Sequence, residues 1–291
     1  MTFKRILVAV NSPSGRDAAF ERALALARSA GAELYVLHAV PVNQLFSFRG
    51  ADRLERMGDM RKRAEDAGVR VQTVEQHGDA ADIIELHANA READLIVMGG
   101  EARRGWGRPG SLVAEKVIRR TKVPTLVVPS DAPDTSTVFG NVLVAIDLSP
   151  ASEDVLRGAL GLTARQASRL TVMHTVKGLE AADAVRSPAR WKVPEFRTDV
   201  LDDARRTLEE LVSEVPAGVD TRVQVSTGSA ARTILEHAAD VDADLVVVGR
   251  SRGFKLLGST ALRVLRKSGR ALLVMPTAAN RTSQVERPHA A

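Results

Sequence analysis

Two stretches of this chain gather the residue types that hold anions. Gly99-Gly100-Glu101-Ala102-Arg103-Arg104-Gly105-Trp106-Gly107-Arg108-Pro109-Gly110-Ser111 is one, and Gly249-Arg250-Ser251-Arg252-Gly253-Phe254-Lys255-Leu256-Leu257-Gly258-Ser259-Thr260 is the other. Each follows an apolar run and feeds a helix-like segment beginning Gly-Ser. Small residues let backbone N–H groups approach a negative group, and a helix N-terminus favours negative charge there. Arginine adds bidentate contacts to phosphate. Local sequence permits a blander reading, in which Ser111 and Ser259 are helix N-caps preceded by turn glycines. Two further polar positions end apolar runs: Asn11 and Asp147 follow residues 6–10 and 142–146.

Other chemistry is hard to place. With no cysteine, disulfides, thiolate metal sites and thiol catalysis are excluded. Neither Gly-x-Ser-x-Gly nor a phosphate loop with its lysine occurs, so dedicated catalysis is not expected. His38 and His174 close corresponding apolar runs; a rim histidine bonded to backbone outweighs a metal ligand, because no second ligand stands at metal-like spacing. His87 and His237 recur as a shared packing position. The scarce aromatics of 46–48 and 191–196 cover the sheet edge or touch a ligand or partner.

Aromatics are only 3%, too few for base-stacking platforms, and the charge of +5 is divided almost evenly between residues 1–137 and 138–291, at +2 and +3. Nucleic-acid binding needs a basic patch or stripe. None is expected here. No apolar run approaches 18 residues, and the start at Met1 runs straight into a strand-like segment, so neither a membrane span nor a leader is expected and the cytoplasm is the default location.

The elements that must position these residues repeat along the chain. Ile6-Leu7-Val8-Ala9-Val10-Asn11 matches Val142-Leu143-Val144-Ala145-Ile146-Asp147 at an offset of 136, as Leu37-His38 matches Met173-His174. The offset becomes 150 where Gly78-Asp79-Ala80-Ala81 meets Gly228-Ser229-Ala230-Ala231 and Ala93-Asp94-Leu95 meets Ala243-Asp244-Leu245. The second copy therefore carries 14 extra residues between its second and third strands, in the neighbourhood of 179–194. Continuous Val/Ile/Leu runs at 6–10, 34–40, 95–98 and 125–128 predict parallel strands buried on both faces. A weaker strand is expected at 69–74. Helices are expected at 16–30, ending at Gly31, at 82–90 and at 112–119. The fold class is α/β: two similar open, five-stranded parallel-sheet domains flanked by helices, Rossmann-like, at 1–130 and 139–277, with a linker at 131–138 and a tail at 278–291.

These residues resemble the universal stress protein family in its tandem form. The likeness rests on the opening strand ending Val-Ala-Val/Ile-Asn/Asp, the His closing the second strand, the Gly-x-Ala turn and the Ala-Asp-Leu-Ile/Val-Val-Met/Val-Gly strand. It implies an adenine nucleotide alpha hydrolase-like fold and, in nucleotide-binding members, an ATP site with magnesium. Such a site uses an Asp after the first strand, backbone near the end of the second, and a Gly-x2-Gly-x9-Gly-Ser/Thr loop. Carried over, these become Asp147, Thr175, Gly249, Arg252, Gly258, Ser259 and Thr260 in the second copy, and Asn11, Ala39, Gly99, Ala102, Gly110 and Ser111 in the first. Both loops are shorter than the family pattern, and Ala102 and Arg252 replace its middle glycine; the Cβ of Arg252 would crowd a triphosphate.

Three functions follow as expectations. One is nucleotide binding with a regulatory output. Another is a scaffold without nucleotide, acting through protein contacts. The third is a binder of another small ligand at the 14-residue insertion. The runs 125–128 and 271–275 are expected to pair the two domains within the chain as a pseudo-dimer, with a homodimer as a further expected association.

Overall fold

The computed structural model describes residues 2–10, 17–41, 50–100, 109–132, 139–163, 169–177, 194–250 and 259–276, of which 50–54, 109–111, 194–196 and 259 contribute backbone only. The first half runs β1 (Arg5–Val10), α1 (Ala18–Ala30), β2 (Glu33–Val40), α2 (Gly50–Asp66), β3 (Val71–His77), α3 (Ala80–Ala90), β4 (Leu95–Gly100), α4 (Pro109–Arg120) and β5 (Thr125–Pro129). The second half repeats the order as β6 (Asn141–Ile146), α5 (Ser152–Thr163), β7 (Arg169–Val176), α6 (Pro194–Val212), β8 (Asp220–Thr227), α7 (Ala230–Asp240), β9 (Leu245–Gly249), α8 (Ser259–Lys267) and β10 (Ala271–Met275).

The apolar runs are strands for the reason their sequence suggests: β-branched residues on both faces need cover on both faces. All ten strands form one sheet in the order β3-β2-β1-β4-β5-β10-β9-β6-β7-β8. Every pairing is parallel except the central one, where β10 meets β5 antiparallel with Leu273 opposite Leu126. Val127 and Val274 there are only 5% and 3% exposed. The expected pairing of the two halves through their last strands is thus what the structure shows. One buried layer joins α1, α2, α5 and α6 to the sheet. The other joins α3, α4, α7 and α8. Equivalent helices share a face while β5 and β10 run oppositely, so the halves are related by an approximate two-fold axis normal to the sheet. The carboxyl ends of β1 and β4 therefore lie at one edge of the sheet, and those of β6 and β9 at the opposite edge.

Local signals explain most element ends. Asp17 caps α1 by accepting from the Phe20 amide at 2.9 Å, and Gly31 closes it in the left-handed region at φ 62°. Asp79 caps α3 through the Ala81 and Asp82 amides, whereas its counterpart Ser229 makes no side-chain cap bond. The third strand lies at 71–77 rather than 69–74, because its pairing continues past Val74 to His77 opposite Val40. α4 begins at Pro109, not near Leu112, since proline has its φ preset for a first helical turn. Ser111 is consequently the third residue of α4 and not its cap. The proposed tail and most of the linker lie outside the described residues.

The repeated Ala-Asp-Leu motif has a positioning role. Asp94 accepts from the amides of Lys4 (2.7 Å) and Arg5 (3.0 Å), and Asp244 from those of Gly140 (2.7 Å) and Asn141 (3.1 Å), fixing the start of each half's first strand. Burial pushes the Asp244 carboxyl up, against the pull of those amides and of Arg22.

A charged contact also crosses between the halves. Glu115 of α4 is hydrogen-bonded to Arg119 one turn on and, at 2.9 Å, to Arg266 of α8. Burial pushes the Glu115 carboxyl up, but the hydrogen bonds and charges of Arg119 and Arg266 outweigh it and hold its pKa below the ordinary value of 4.5. A carboxylate with a depressed folded pKa stabilises the fold fully above its unfolded value and loses that contribution as pH falls through the folded one. Glu115→Gln is therefore expected to flatten the fall in thermal midpoint below about pH 4.5, while leaving the neutral-pH midpoint within a few degrees, because such pairs contribute about 1 kcal/mol when partly exposed. Parallel acid limbs for wild type and variant would refute it.

Candidate functional site

In each half the first strand lies between the second and the fourth, so the chain's winding reverses between β1 and β4 and again between β6 and β9. Ligands of open α/β sheets bind in the crevice beyond the carboxyl ends of strands at such a point. The second half has a cavity of about 190 Å³ there. Ala145, Ile146, Met173, Val155, Ile234 and Val248 supply apolar walls, and Asp147, Thr175, Lys177, Gly249, Arg250 and Thr260 the polar ones.

Each polar group is held in a specific way. Asp147 is exposed just after β6, and its Oδ1 accepts from the Ser149 amide at 3.1 Å, a turn that places Leu148 in the left-handed region at φ 56°. Its Oδ2 has no recorded partner among the described residues. His174 secures the preceding carbonyl: Nδ1 lies 2.8 Å from the Ile146 oxygen and must carry the proton, because a carbonyl only accepts. His38 does the same for Val10 at 3.1 Å. The backbone-bonded rim histidine is thus what both copies hold. His87 and His237 also play one role twice, joining the third helix to the third strand through Gln76 (2.6 Å) and Ser226 (3.2 Å).

Thr175 presents less than its hydroxyl suggests. Thr233 Oγ1 lies within 3.1–3.2 Å of the Ala230 and Ser229 carbonyl oxygens, to which it donates, so Thr175 donates to Thr233 across 2.8 Å and its side chain is tied to α7. In the first half the same positions are Ala39 and Ile83, an apolar contact. Gly99, next to last in β4, has open space where a Cβ would stand, the room an approaching ligand needs.

Arg250 departs from expectation. A loop arginine was expected to face phosphate; instead it is 7% exposed and its Nη1 donates to the carbonyl oxygens of Ile118 (2.7 Å), Thr121 (2.9 Å) and Arg119 (3.2 Å) at the end of α4. The uncapped carbonyls of a helix end are strong acceptors, and they hold the guanidinium against the cavity wall. Asn11, Ala102, Arg252, Gly258 and arginines 103, 104 and 108 lie outside the described residues, as do the side chains of Ser111 and Ser259. So do the 14-residue insertion and the aromatics of 46–48 and 191–193.

The chain is thus two tandem units of one fold, with a cavity beyond the strand ends of the second. The model of the universal stress protein family matches residues 2–129 and again 139–276. The chain belongs to the universal stress protein family. A universal stress protein of Synechocystis sp. is 31% identical over 134 residues, spanning 43% of this chain and 86% of the relative. One from Bacillus subtilis is 30% identical over 151 residues, or 47% of this chain and 99% of the relative. Across both halves, the crystal structure of a universal stress protein from Archaeoglobus fulgidus shares the fold, with a TM-score of 0.66 at 20% identity over 93% of this chain and 96% of that one. As a universal stress protein the chain is of the tandem kind.

Within this tandem universal stress protein, Asp147, Thr175, Gly249 and Thr260 come together around one cavity. Lys177 was missed by sequence reasoning. It is exposed, lies at the rim and has Pro41 as its counterpart at the offset of 136, a difference between the copies that would have pointed to it.

Proposed function

We propose that this tandem universal stress protein binds ATP or a related adenine nucleotide with magnesium in the cavity beyond the carboxyl ends of β6 and β9, and that occupancy has a regulatory rather than a catalytic output. The observation that carries this is the cavity's division into apolar walls and a polar rim. A base can lie on Ile146, Met173, Ile234 and Val248. The free Oδ2 of Asp147 can accept from a ribose hydroxyl, and Lys177 together with the N-terminus of α8 near Thr260 answers phosphate charge. Magnesium would enter with the phosphates, since no described group of three His, Asp or Glu could hold a metal ion. Asn11, Ala39, Gly99, Ala102, Gly110 and Ser111 form the corresponding site of the first half in this proposal, Gly258 and Arg252 complete the second, and the domains divide at 130 and 139. No described helix is long and apolar enough to cross a membrane. A cytoplasmic setting, without nucleic-acid partners, belongs to the same proposal.

Titration calorimetry of the full chain with ATP and magnesium tests it. Saturable heat, with a rise in thermal midpoint at the same nucleotide concentration, is expected. No heat and no shift at millimolar nucleotide would sink the proposal.

A further inference from the structure

The approximate two-fold axis has a consequence for α4. This helix starts at Pro109 beside the strand-end edge of the first half and runs antiparallel to β5, so it ends beside the opposite edge, where the second half has its cavity. Its 12 residues span about 18 Å at ~1.5 Å per residue. At that far end Arg250, itself a wall of the second cavity, donates to the carbonyls of Ile118 and Arg119 in α4 and of Thr121 just past it. Its own amide donates to the Met275 carbonyl at 2.8 Å, which fixes the backbone from which the guanidinium reaches across.

Among the described residues the tie runs one way only. At the offset of 150, Arg250 has Gly100 as its counterpart, with no side chain to send toward α8, and a Cβ there would stand 2.8 Å from Val127 Cγ1. Ser268, which holds in the second half the place of Thr121, has a buried hydroxyl with no partner among the described residues. The second half thus caps a helix of the first, and among the described residues the first does not return the contact.

We propose that Arg250 is a positioning residue that makes the end of α4 part of the second half's site, so that an anionic ligand in that cavity and α4 of the first half stabilise each other. The ligand half of this inference rests on reading the cavity as a nucleotide site. An anion on the cavity side holds the guanidinium in the wall, and a guanidinium held there keeps the last turn of α4 closed. Linkage makes the effect reciprocal: whatever tightens α4 favours the anion to the same extent. Because α4 also opens with Gly110 and Ser111 of the site proposed for the first half, one helix meets both candidate sites.

Hydrogen exchange of the full chain, followed in peptides covering 112–122, tests this with wild type, Arg250→Met and Arg250→Lys. Without ligand, Arg250→Met is expected to speed exchange in the last two turns of α4 at least about tenfold and to leave α1 unchanged, with Arg250→Lys between. Unchanged α4 exchange in Arg250→Met overturns the inference. The ligand arm uses a Gly99→Val background, which fills the open space beside β4 and so obstructs the first site. Saturating ATP with magnesium is expected to slow exchange in α4 when Arg250 is present and not in Arg250→Met. ATP that binds with heat but leaves α4 exchange unchanged overturns the coupling while the nucleotide reading stands. Should ATP give no heat, the nucleotide reading fails, and tripolyphosphate is the probe; an unchanged α4 at saturating tripolyphosphate then overturns the coupling as well.

Discussion

Asp147→Ala is expected to weaken nucleotide binding by the full chain at least tenfold in titration calorimetry. Hydrogen bonds to a charged group are worth about 1.5–3 kcal/mol, and each 1.4 kcal/mol is a factor of ten in the binding constant. The carboxylate divides its work: Oδ1 accepts from the Ser149 amide and shapes the turn after β6, while Oδ2 is the oxygen proposed to meet the ligand. Loss of affinity in the alanine variant could therefore come from either oxygen. Asp147→Asn separates them, because asparagine retains an acceptor for the Ser149 amide but has no charge. It is also the residue the first half carries at this place, Asn11. Asparagine is expected to recover part of the affinity, with the turn preserved. Equal affinities for all three proteins would remove Asp147 from the site.

Phe139→Ala is expected to destabilise the chain by about 3–5 kcal/mol in denaturant unfolding, the range for emptying a buried aromatic site. Phe139 is fully buried just before β6, and the Arg22 guanidinium of α1 stands 4.4 Å from its ring centroid. A cation over a desolvated ring adds about 1–2 kcal/mol, and Arg22 itself is buried, so truncation leaves both a cavity and a charge without its π-face. Against a total of about 5–15 kcal/mol for a typical domain, the loss is large. Phe139→Leu keeps most of the volume and is expected to cost less than half as much. A change under 1 kcal/mol for Phe139→Ala would show that this contact contributes little to joining the halves.

Much of the fold was legible because its signals are local. The Val/Ile/Leu runs carry their burial in their composition, Asp17 and Gly31 carry the ends of α1, and the offsets of 136 and 150 disclose two copies without reference to space. The ends of β3 and α4 were misplaced where a local signal is weak. β3 is a half-exposed edge strand whose length depends on its neighbour β2, and α4 opens on a proline inside a glycine-rich stretch that also reads as loop.

The candidate site divides in the same way. Asp147, Thr175, Gly249 and Thr260 could be picked from sequence because each follows an apolar run or opens a helix, positions that the winding of an α/β sheet brings together whatever the details. The partners of those residues could not. That Thr175 is spent on Thr233, 58 positions away, depends on how α7 settles against β7. That Arg250 turns from the phosphate side to the carbonyls of Ile118 and Thr121 depends on the antiparallel join of β5 to β10, which brings the end of one half's helix to the strand ends of the other.

The sequence by itself determined two α/β units and the expected pairing of their last strands, and it marked the strand-end positions proposed for a ligand. Periodicity, caps and repeats are properties of neighbouring residues, and a repeat is visible at any separation. Only the tertiary structure decided that the join of the last strands is antiparallel, that the strand-end crevices of the two halves therefore lie at opposite edges, and that an arginine of the second half closes a helix of the first. Those outcomes follow from which surfaces meet across more than a hundred residues of chain, where shape and unsatisfied backbone carbonyls choose the partner and local residue type does not.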